Sequence, residues 1–191
     1  MSRPTVSNAT PMTVRDALGA HEEFVRVATP GTSRGTGLDV PWPVALTADA
    51  IWDESWEDDR TDPPPQGDLT PGQATLITDV LSRGRAGVGC SFATWTGYAD
   101  VCASGRPVVL PPDRDMVALD ATLGDVHEIA ARWGRYPLRW RAADGSFAVG
   151  ADLYARSVVV AGRDLGALVT ADGPVRGVRV PPEHLLPSWP A

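Results

Sequence analysis

Between residues 136 and 162 the chain reads YPLRWRAADGSFAVGADLYARSVVVAG, and no other stretch restricts its fold as much. Apolar side chains alternate through Leu138 and Trp140, then through Phe147, Val149, Ala151 and Leu153, the two-residue period of a strand with one buried face. Asp144-Gly145 stands between the two runs. Glycine tolerates the positive φ of a tight primed turn, so the pair predicts a hairpin. Ser157 and the three valines after it supply a third strand, rich in β-branched side chains. These three strands form a predicted meander.

The remaining chain adds helices early and strands late. Thr13-Val-Arg-Asp16 reads as a capping box, and Val14, Leu18, His21 and Val25 share one helical face, with Phe24 and Ala28 beside it. Pro30-Gly31 ends that predicted helix. Thr47 is positioned to cap a short helix through Trp56. The DPPPQGD run at 62–68 holds no regular element, because proline lacks an N–H and fixes φ. It is a linker or lid candidate within a proline-rich loop at 61–69. Thr70-Pro71 opens the next helix in the favoured order, with Ala74, Ile77, Val80 and Leu81 as its buried face and Gly84 as its stop. Strands follow at 87–95, 105–110 and 115–119. A helix at 125–133 is followed by Gly134, then come a short helix at 165–169 and a strand at 175–180.

Helices leading and strands trailing predict an α+β class. The expected architecture is a mainly antiparallel sheet of about five to seven strands with helices packed on one face. Residues 1–12 read as a flexible N-terminus, 13–187 as a single α+β domain and 188–191 as a tail.

Composition removes several functions. The formal net charge is −7, opposite to what a nucleic-acid surface needs. All 17 basic residues are arginine, which points to a GC-rich genome and weakens any selective reading of a single arginine. Without lysine the chain lacks a Walker-loop lysine and a Schiff-base amine, so lysine-linked pyridoxal phosphate is ruled out. No run of about 18 apolar residues predicts a membrane span. The first residues lack a basic-then-apolar leader pattern, so a cytoplasmic protein is expected. Cys90 and Cys102 lack metal-ligand or C-x-x-C spacing and read as free thiols. His21, His127 and His184 lie far apart, so neither a metal nor a cofactor is expected.

Two aromatic motifs carry a resemblance: Phe92-Ala-Thr-Trp95-Thr-Gly97-Tyr98, and Trp140-Arg-Ala-Ala-Asp144-Gly-Ser146-Phe147-Ala-Val149. Over residues 70–187 the chain resembles a family of uncharacterised actinobacterial α+β proteins. Phe147 departs from the tryptophan more usual there. The resemblance implies a fold and carries no activity.

Three candidate sites remain. Trp52, Asp53, Glu54, Trp56, Glu57, Asp58 and Asp59 interleave aromatics with carboxylates, and the two tryptophans share a helical face four residues apart. They read as an acidic aromatic edge for a basic protein partner, or as two packed tryptophans under a solvated face. An immunity-like or adaptor module is the leading expectation. Trp95, Tyr98 and Arg139 read as a sheet-end pocket, with Trp140 and Arg141 nearby, able to stack a planar ligand and meet its carboxylate. Alternatively the tryptophans are core and the arginines face water. A structural subunit of a larger assembly is a third expectation, with self-association through the 63–65 prolines or the proline-rich tail. Catalytic residues are not expected; the nearest candidates are Cys90 as nucleophile and His127 as base, which requires an electropositive setting for the thiol.

Overall fold

The structure, a computed structural model, describes residues 12–40, 60–63, 67–83, 87–97, 104–110, 114–151, 155–170, 173 and 175–184. Its helices are α1 (Val14–Leu18), α2 (Pro71–Ser82) and α3 (Val126–Trp133). The strands are β1 (Glu23–Ala28), β2 (Gly31–Ser33), β3 (Asp39–Val40), β4 (Thr61–Asp62), β5 (Gly89–Trp95), β6 (Arg106–Leu110), β7 (Arg114–Thr122), β8 (Arg139–Ala142), β9 (Ala148–Ala151), β10 (Ser157–Gly162) and β11 (Arg176–Arg179). Eight of them form one antiparallel sheet in the order β11-β1-β10-β9-β8-β5-β7-β6, and β3-β2-β4 form a small second sheet.

The α+β class with an antiparallel sheet is therefore present, with eight strands in place of five to seven. The extra strand is β1, inside the segment that reads as one long helix. Thr13 does cap α1: its Oγ1 accepts the Asp16 N–H at 3.1 Å while Asp16 accepts the Thr13 N–H at 3.0 Å. Two hydrogen bonds from Thr13 hold the Asp16 carboxyl below its ordinary range. The helix stops after five residues, at Gly19 with φ +95. Val25 and Val27 then enter the sheet between β10 and β11, where β-branched side chains pack well and long-range pairing outweighs a helical repeat.

A second correction concerns the helices. On one face Val25, Val27, Phe92, Trp140, Val149, Val158 and Val160 pack under α2, α3 and a 3-10 turn at Leu165–Leu168. On the other face Phe24, Ala148, Val159 and Ala161 pack with Val14 and Leu18 of α1. Both faces of the central strands are apolar, so both need cover, and α1 supplies the second layer. Hence β10 is buried at all six positions.

The α2 start holds as read from sequence. Thr70 Oγ1 accepts the Gln73 N–H at 3.2 Å and its hydroxyl donates to Asp39 at 2.8 Å, with Pro71 next. Buried Gln73 donates to the Ala28 carbonyl at 3.2 Å, tying α2 to the end of β1.

The hairpin is present but its loop is longer than a two-residue turn. The Ala142 N–H donates to the Phe147 carbonyl and the Gly145 N–H to the Ala142 carbonyl, leaving residues 143–146 as the loop. Gly145 takes the positive φ, +73, and Asp144 Oδ1 accepts the Ser146 N–H at 2.9 Å, a local bond that favours the four-residue form.

Candidate functional site

Strand pairing places residues of one face that lie far apart in sequence. Arg139 of β8 stands opposite Ala93 of β5, Ala93 opposite Ala118 of β7, and Ala118 opposite Arg106 of β6. This row has an arginine at each end and two alanines between. In the next row Arg141 stands opposite Ser91, and Ser91 opposite Asp120. The small side chains leave a groove of about 400 Å³, open to solvent. Val108 and Leu110 extend its apolar wall, and Ala17 and Leu18 of α1 close one end.

Three guanidiniums, Arg106, Arg139 and Arg141, line the groove, against one lining carboxylate, Asp16. That carboxylate already accepts the Thr13 N–H and hydroxyl. On a chain with net charge −7 this is a local reversal of sign. Arg139 lies over Gly150: a Cβ there would strike the guanidinium and sit 2.6 Å from a Leu18 methyl. Glycine at 150 thus makes room for the arginine beneath α1. Arg141 reaches the carbonyl end of α1, with Nη2 3.4 Å from the Leu18 oxygen. Among the described residues no carboxylate forms an ion pair with Arg106 or Arg141. An apolar floor with a cationic rim suits an organic anion, whose carboxylate or phosphate a guanidinium grips through two N–H groups.

Of the residues singled out from sequence, Arg139 lines this groove and half-buried Trp95 stands on the same face, two residues along β5 from Ala93. Trp140 faces the opposite way. It is 1% exposed, meets Phe92 edge-on with ring centres 5.9 Å apart, and donates to the Pro137 carbonyl at 2.9 Å. Tyr98 and all of 52–59, the acidic aromatic edge, lie outside the described residues.

Cys90 lies on the helix-covered face, 2% exposed. Burial pushes its thiol up to about 12, so it stays protonated at neutral pH. His127 is engaged elsewhere. The Thr75 hydroxyl donates to the Pro71 carbonyl at 2.9 Å, which leaves Thr75 Oγ1 to accept from His127 Nε2 at 3.2 Å and His127 Nδ1 to accept from the Tyr136 hydroxyl at 2.8 Å. The imidazole thereby joins α2, α3 and the turn before β8. Burial, with the nearby Asp68 charge, raises the Tyr136 phenol. Among the described residues no group of three histidine, cysteine or acidic side chains is placed to hold a metal ion.

Sequence reading missed Arg106, Ala93 and Ala118. The one local signal was the Arg-Trp-Arg alternation at 139–141, which puts both arginines on the face opposite Trp140. Comparisons with protein-family models, curated proteins and solved structures each found no match.

Proposed function

We propose that the protein binds a small organic anion with an apolar body in the groove between β6 and β8. The observation that carries this is the register row Arg139, Ala93, Ala118, Arg106, cations at either end of a two-alanine floor. Binding would lay the apolar body along half-buried Val108 and Leu110 and set the anionic group against a guanidinium. Titration calorimetry with octanoate tests it. Saturable binding is expected, weakened at least roughly tenfold by Ala118→Leu, which fills the floor. No heat of binding, or equal binding by Ala118→Leu, removes the reading.

A second site is proposed from sequence. Trp52, Trp56 and the five carboxylates between 53 and 59 would dock a basic protein, supported by the i, i+4 tryptophans and the acidic net charge. Reversing Glu57, Asp58 and Asp59 to arginine is expected to abolish low-salt capture of a basic partner by the tagged protein. Unchanged capture would end this proposal. A cytoplasmic location belongs to the same reading and rests on the sequence alone. Among the described residues, no helix is long and apolar enough to cross a membrane.

A further inference from the structure

We infer that both ends of the eight-stranded sheet are closed to strand addition, so that a partner, a second copy of this chain included, docks on its faces and does not lengthen the sheet. The ends are β6 and β11, the outermost strands among the described residues. Which backbone groups of β6 face outward follows from its neighbour. The Thr96 N–H donates to the Asp115 carbonyl at 3.2 Å and the Leu123 N–H to the Val88 carbonyl at 2.8 Å. The odd-numbered residues of β7 therefore direct their N–H and C=O groups toward β5. Its even-numbered residues serve β6, where Ala118, Met116 and Arg114 stand opposite Arg106, Val108 and Leu110. Pro107 and Val109 thus turn their backbone groups away from the sheet.

Proline has no N–H, which leaves Val109 as the single outward donor of β6. The strand is otherwise suited to pairing, since Val109 is 65% exposed and β-branched. In an antiparallel pair of two β6 strands centred on Val108, Pro107 of each copy would face Val109 of the other. Each such pair keeps one of its two hydrogen bonds, and the Val109 carbonyl gives up water for nothing. At the far end, β11 reaches the same state by another route. The Val180 N–H donates to the Phe24 carbonyl at 3.0 Å, so Val178 and Arg176 also face β1 while Gly177 and Arg179 face outward. The Gly177 N–H already donates to the Thr170 carbonyl at 3.1 Å. Arg179 is left as the one outward donor of β11, and Pro181, the next outward position, brings none.

Sedimentation velocity of the full chain over a range of concentrations is the test. Pro107→Thr restores the missing donor and is expected to self-associate at least roughly tenfold more tightly than the unaltered protein. Adding Val109→Pro to that variant removes the other donor, and the double variant is expected to sediment as the unaltered protein does. Val109→Pro alone is expected to keep the circular dichroism of the unaltered protein, because the N–H it removes bonds nothing within the sheet. Pro107→Thr sedimenting like the unaltered protein overturns the inference. Association of the double variant as strong as that of Pro107→Thr also overturns it, because the contact then lies away from the β6 edge. Unfolding of Val109→Pro overturns the outward orientation on which the closure depends.

Discussion

Replacing Trp140 by alanine is expected to lower the unfolding free energy by about 4 kcal/mol, a large share of what holds a domain of this size together. The indole is the centre of a row running from β10 through Val149 to Phe92. Its loss opens a cavity beneath the helices and removes the edge-on contact with Phe92. It also leaves the Pro137 carbonyl without its indole donor. Trp95, half-buried on the other face, gives the comparison: Trp95→Ala is expected to cost about half as much, since less area returns to water. Urea denaturation of the two variants measures both. Equal losses would place Trp140 outside the core.

Gly177→Ala is expected to cost about 3 kcal/mol and to loosen β11. The reason is space. A Cβ at 177 would fall on the Leu168 backbone carbonyl and within 3.2 Å of a Val25 methyl. A backbone oxygen cannot swing aside as a side chain can, so either the 3-10 turn or the edge strand must move. Leu165 and Leu168, both fully buried, anchor that turn against the core, which directs the displacement to β11. Gly166→Ala provides the contrast: no atom lies within 4 Å of the added methyl, and its stability is expected to stay within about 0.5 kcal/mol of the unaltered protein. Hydrogen exchange at the Arg26 and Ala28 amides, which face β11, reports the opening. Unaltered protection there, with an unaltered denaturation midpoint, would contradict the packing described.

The elements legible in the sequence are those whose signals are local. Thr70-Pro71 satisfies the first turn of α2 within four residues, and the alternation through Trp140 and Val149 needs only the period of a strand. Residues 13–28 failed because two periods coexist there. Val14, Leu18 and Val25 fit a helical face, while Phe24, Val25 and Val27 serve a strand buried on both sides. A two-sided strand loses the clean alternation that would distinguish it. The hairpin loop was misjudged in length because Asp144-Gly145 suits both a two-residue turn and the inner part of a four-residue loop.

For the site, composition and spacing alone excluded lysine chemistry and gave Arg139 and Arg141 a common face on either side of Trp140. Helix caps, and strand type outside β1, likewise followed from short-range pattern. The tertiary structure decided which residues share the groove, because Ala93, Arg106, Ala118 and Arg139 meet only through the pairing of β5, β6, β7 and β8. It also decided the state of Cys90, whose thiol is held protonated by burial under helices that no neighbouring residue encodes. Turns and caps are short-range bonds between neighbours in the chain, whereas a groove and a desolvated thiol depend on which distant strands come to lie side by side.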